Sequence, residues 1–131
     1  MTNLFETKKE RGIALWLIAS RLKRWLGIRP PEKILCAAIW INNGEQYTQQ
    51  PKNIKSGVVI TGRRHHNCFI TLLILRGKID YDKNKIEQGF LTNTDRYVDR
   101  KEAYLIAAKA KQLILPRTNK PNTILLSEDL Y

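Results

Sequence analysis

The chain has 131 residues, 43% of them hydrophobic, with 23 Lys and Arg against 12 Asp and Glu, a formal net charge of +11. That length suits a core that needs no disulfide or metal staple, and only 7 Gly and 5 Pro exclude a collagen-like or wholly disordered chain. The charge favours polyanionic partners: nucleic acid, anionic lipid or a phosphorylated small molecule.

Residues 1–30 form the first element, with seven bases and two acids. Leu15, Ile18, Ala19, Leu22, Trp25 and Leu26 recur at three- and four-residue steps, which predicts a basic amphipathic helical arm within 4–28. Its stripe suits docking on its own body or another subunit, the favoured reading, or an interfacial position on anionic lipid or nucleic acid. Arg21, Lys23, Arg24 and Trp25 follow the apolar stretch 12–20 where a signal peptide would carry small residues. A cytoplasmic protein is expected, with no membrane span, because no apolar run approaches roughly 20 residues. Pro30-Pro31 ends the arm, and residues 31–131 are expected to form a separate ligand-binding domain.

Within that domain Lys33–Ile41 is an apolar run of strand length, Asn42-Asn43-Gly44 a turn signal, and Glu45–Thr48 the expected return strand of a hairpin. A polar loop over 49–57 leads to the β-branched strand Val58–Thr61, which Gly62 breaks. The 66–75 stretch fits strand or buried helix, with its length and leucines favouring helix. Arg76–Gln88 reads as a charged loop, and Gly89–Thr92 and Arg96–Val98 as short strands around the turn Asn93-Thr94-Asp95. Asp99 followed by Glu102 forms a capping box that opens a helix to Leu113. After a loop containing two prolines, Thr123–Leu126 is expected as a last strand. The fold class is α+β: a small mixed, mostly antiparallel sheet with two packed helices, preceded by the arm.

Chemistry concentrates in Gly62-Arg63-Arg64-His65-His66-Asn67, between a predicted strand and a predicted helix. Two guanidiniums, two imidazoles and first-turn N–H groups suit a phosphate or pyrophosphate. The bland alternative is a solvated charged turn with one core histidine. A metal is not expected, since adjacent helical histidines point about 100° apart. Cys36 and Cys68 lie in apolar runs and read as buried thiols of a reducing compartment. No carboxylate pair suggests acid–base catalysis, so no enzyme is expected. Phe90, after Gly89 and near Asn93 and Arg96, either stacks a planar base or belongs to the core. Arg96 and Arg100 bracket Asp99, so one of them is expected in a structural ion pair. Arg117 has no acidic neighbour in its loop and is a candidate ligand clamp.

Gly62-x-Arg64-His65-His66-Asn67, Gly89-Phe90, Arg96-Tyr97-Val98-Asp99-Arg100-Lys101-Glu102-Ala103 and Ser127-Glu128-Asp129-Leu130-Tyr131 stand in that order. The set resembles small phage proteins with the pattern RHHN, GF, R(F/Y)VDRxEA and SEDL. It thereby resembles the Thoeris anti-defence 1 family, phage sponges that sequester cyclic ADP-ribose-type immune signals. The resemblance implies a cofactor-free, non-catalytic homo-oligomer, a dimer or larger, that buries a cyclic nucleotide near subunit interfaces. It places Arg64, His65, His66, Asn67 and Phe90 at the pocket, with Arg117 on looser grounds; Arg63, from the anion-binding cluster, and Asn93, beside Phe90, complete the candidate ligand-binding residues. The arm at 1–30 departs from the pattern. The alternative function is a nucleic-acid-binding phage protein that uses the arm and Arg63/Arg64 on phosphates.

Overall fold

The apolar run beginning at Ile34 becomes the inner strand around which the sheet is built. The computed structural model describes residues 8–27, 31–79, 81–114 and 123–131. They fall into two units, Met1–Pro31 and Glu32–Tyr131. The first contains one helix, α1 (Lys8–Trp25). The second contains β1 (Ile34–Ile41), β2 (Val58–Gly62), α2 (His65–Ile74), β3 (Ile86–Thr92), β4 (Tyr97–Asp99) and α3 (Arg100–Lys109), with short 3-10 turns at Lys83–Lys85 and Ser127–Asp129.

The sheet order is β2-β1-β3-β4, and every neighbouring pair is antiparallel, in keeping with the mostly antiparallel sheet expected. Register places Ala37 opposite both Gly62 and Phe90, and Ile39 opposite Ile60 and Gln88. Alternation along β1 sends Ala37, Ile39 and Ile41 into one core with Phe90, Val98, Cys68 and Leu72 of α2, and Ala103 and Ala107 of α3. The other face carries Trp40, whose ring lies 5.8 Å from that of Tyr97. The 45–57 connection is tied to this side: Trp40 Nε1 donates to the Ser56 carbonyl, and the Asn53 side chain bonds both Tyr97 N and O. An inner strand covered on both faces reads as a continuous apolar run, not an alternating one.

Two expected strands are absent. Glu45–Thr48 does not return along β1; β2 takes that place. The Asn42 and Asn43 side chains accept from the N–H groups of Gly44 and Glu45, forming local turns, and polar Glu45–Thr48 offers no apolar face to the core. Thr123–Leu126 is extended but joins no strand. Leu125 is buried, and its N–H donates to Arg100 O. In contrast, β3 begins three residues before Gly89, because Ile86 and Gln88 share the inward face with Phe90.

The 66–75 stretch is helical, starting at His65. Gly62 permits its close approach to β2: a Cβ there would stand 2.9 Å from Asn67 Cβ. Helix α3 opens on Asp99, whose Oδ1 accepts from Glu102 N at 2.8 Å, a cap of about 1 kcal/mol. The Glu102 carboxylate turns instead to Arg96, at 2.8 Å.

Candidate functional site

Arg64 is the N-cap of α2, in extended conformation, and its N–H donates to Asn67 Oδ1 at 3.1 Å. Asn67 is thus engaged in starting the helix. The Arg64 guanidinium reaches the end of the described chain: Nη2 donates to Tyr131 O at 2.8 Å, and Nη1 lies 3.4 Å from Glu128 Oε1. The Arg63 and Arg64 guanidiniums both stand over the Tyr131 ring, 5.1 and 5.7 Å from its centroid. The Tyr131 hydroxyl donates to Arg63 O, which fixes the ring. Arg63 and His66 are exposed. The result is a cationic ledge with one flat ring, beside the first-turn N–H groups of α2.

His65 turns the other way. It is buried, its Nε2–H donates to Gly89 O at 2.9 Å, and its ring meets Phe90 edge-on at 5.0 Å. Burial chiefly holds its pKa below the usual histidine value, helped by Arg100 and opposed by the Gly89 carbonyl and Glu128. A buried neutral imidazole bonded to a carbonyl is a packing device. Phe90 is 0% exposed, so neither ring face is open to a base, and its assignment as a stacking platform gives way to a core role. The aromatic surface beside the arginines is Tyr131, which sequence reasoning treated only as part of the tail.

Asn93 stands apart from the ledge. Its side chain accepts from Lys33 N at 2.8 Å and its N–H donates to Lys33 O, pinning the entry to β1. Arg96 is likewise structural: it holds Glu32 through Nε and Nη2 at 3.0 and 2.9 Å. These bonds, with those from Thr94 and Thr92, hold the Glu32 carboxyl down at about 2 despite partial burial. The expected ion pair exists, though with Glu32 and Glu102 as partners and not Asp99. Arg117 lies outside the described residues.

The thiols are structural in geometry. Cys68 is buried with Sγ 3.6 Å from Ala37 O, and burial pushes its pKa up to about 11. Cys36 is half-buried and also raised by burial. Both are free. Among the described residues no group of three His, Cys, Asp or Glu is placed to hold a metal.

Acid stability is expected to fall in two steps. Above pH 6.5 His65 is neutral in both folded and unfolded chains; below it the unfolded chain takes up a proton that the folded chain resists, so stability drops. A second loss runs from 4.5 down to about 2, as Glu32 protonates and releases Arg96. Urea midpoints measured from neutral to acidic pH check both steps, and His65→Gln should remove the first while leaving the second.

A separate hollow of about 460 Å³ opens toward the C-terminal end of α2, lined by residues that include Phe69, Leu73, Arg76, Tyr81 and Lys83. Arg76 and Lys83 make no ion pair among the described residues. None of the sequence-predicted site residues that are described lines it. Its residues come from the 66–75 stretch and from the 76–88 segment read as a charged loop, with no local pattern to mark a concavity. Size alone does not make it the site, because the ledge has the closer grouping of anion-binding groups.

The fold and the ledge together define a small α+β protein with a cationic, ring-backed surface at a helix N-terminus. The family model described as phage T4 y16D protein matches residues 33–131, so the chain belongs to that phage protein family. The match contains the ledge and the whole sheet and leaves α1 outside. No curated protein and no solved structure matches the chain. Among the described residues no helix is long and apolar enough to cross a membrane.

Proposed function

We propose that the protein is a phage anti-defence sponge, similar to the Thoeris anti-defence 1 family, that captures a cyclic ADP-ribose isomer or related cyclic nucleotide and does not degrade it. One observation carries the reading. Two segments of the recognised pattern, Arg63–Asn67 and Ser127–Tyr131, meet in space and place two guanidiniums over one aromatic ring. Guanidinium forks suit a pyrophosphate, and a flat ring suits a base. The proposed ligand offers both. Turnover is not part of the proposal: His65 is held neutral against a carbonyl, and Cys68 is held as a thiol.

The ledge is a surface, and tight capture calls for burial. A second copy closing over Arg63, Arg64 and Tyr131 would exclude water and strengthen the charge contacts, so the proposed working form is a homo-oligomer in the host cytoplasm. The test mixes the full chain with cyclic ADP-ribose isomers, removes unbound nucleotide by filtration, heats the protein and identifies what is released by mass spectrometry. Intact nucleotide in near-stoichiometric amount is expected. Recovery of a hydrolysed product would make the protein an enzyme, and recovery of nothing at micromolar protein would reject capture. Binding to duplex or single-stranded nucleic acid, weakening with log salt at a slope of about −0.7 to −0.9 per phosphate contact, would favour the alternative.

A further inference from the structure

Helix α1 lies outside both the family match and the proposed ligand site. Its 18 residues end at Trp25, and the turn continues through Leu26, whose N–H donates to Leu22 O. Leu15, Ile18, Ala19, Leu22, Trp25 and Leu26 fall within an arc of about 120° at 100° per residue. Arg21 and Lys23 stand at the two borders of that arc; Arg24 stands opposite with exposed Ile13 and Leu17, Trp16 lies beyond the Lys23 border, and Arg11 falls within the arc. From Arg11 to Gly27 there are four bases and no acid. Leu15, Ile18, Leu22, Trp25 and Leu26 are all more than half exposed. Among its described residues the unit contains no second element against which they could pack.

Three kinds of partner meet different parts of this surface. A second α1 would cover the stripe but set like charges along both borders, with no acid to complement them. Nucleic acid would neutralise the bases and leave the five large apolar side chains of the stripe in water. An anionic bilayer surface satisfies both: acyl chains take the stripe and headgroups take the borders. Long basic side chains reach outward from an apolar face to phosphate, and tryptophan is favoured at that depth.

We propose that α1 is a peripheral membrane anchor that lies in the interface of an anionic bilayer, with the Leu15–Ile18–Leu22–Trp25 stripe among the acyl chains and Arg21 and Lys23 at the headgroups. It does not cross the membrane. The anchor is independent of nucleotide capture.

The test floats the full chain with vesicles made of equal parts phosphatidylcholine and phosphatidylglycerol, and with phosphatidylcholine alone. Each base near an anionic surface is worth roughly a fivefold factor in partition. Binding to the mixed vesicles is therefore expected to exceed binding to the neutral ones by more than tenfold. The joint variant Arg21→Gln, Lys23→Gln, Arg24→Gln should lose on the order of a hundredfold on the mixed vesicles. Leu22→Asp should lose at least tenfold, with the thermal transition of the full chain unchanged in both variants. Absence of flotation would overturn the anchor, as would equal binding to neutral vesicles or flotation that survives Leu22→Asp. So would a Leu22-dependent assembly in lipid-free sedimentation, or duplex DNA held more tightly than the mixed vesicles.

Discussion

Arg64→Ala is expected to weaken capture of a cyclic ADP-ribose isomer by at least about a hundredfold. A fork on a pyrophosphate makes two charge-assisted hydrogen bonds, each worth about 1.5–3 kcal/mol, so losing both removes two or more decades of affinity. The fold should survive. Arg64 pairs with Glu128 at 3.4 Å, with side chains 27% and 65% exposed, and an ion pair that open to solvent contributes at most about 1 kcal/mol. Arg64→Lys keeps the charge but not the planar fork and should recover only part of the affinity. Isothermal titration of each variant measures these differences, and urea unfolding confirms the fold. Arg76→Ala, beside the hollow at the other end of α2, serves as the control and should bind within about twofold of the parent. The reverse pattern, with Arg76 essential and Arg64 dispensable, would move the ligand into that hollow.

Such tests are needed because only part of the site could be read along the chain. The Arg63–Asn67 cluster was visible, since five consecutive polar side chains interrupt two apolar elements. Its partners were not. Tyr131 lies 67 residues from Arg64, and Glu32 lies 64 residues from Arg96, so neither contact leaves a local trace. Local chemistry did mark β1, α2 and α3, through an apolar run, a leucine-rich stretch and an Asp99 cap. It misled where it was also locally satisfied: Asn42-Asn43-Gly44 does turn the chain, yet the strand paired with β1 arrives only at Val58. The start of β3 was hidden because Glu87 and Gln88 look like loop residues until the sheet gives them opposite faces.

Phe90 carries the sharpest consequence of that difference, and replacing it should separate packing from binding. It has no exposed surface, lies in the core with Ile39 and Val98, and meets His65 edge-on. Phe90→Ala is expected to lower stability by about 3–5 kcal/mol, a large share of the roughly 5–15 kcal/mol that holds a domain of this size. Phe90→Leu keeps most of the volume and loses the ring. Its stability should fall by only about 1–2 kcal/mol, which includes the edge-on contact with His65. Because Tyr131 supplies the ring beside the arginines, Phe90→Leu should still capture nucleotide within about twofold of the parent. A base stacked on Phe90 would instead cost about 1–3 kcal/mol on losing the ring, or roughly five- to a hundredfold in affinity. The two outcomes do not overlap: a folded Phe90→Leu protein that binds normally leaves the ring in the core, and a folded one that has lost its ligand puts the pocket through the sheet at Gly89, behind His65.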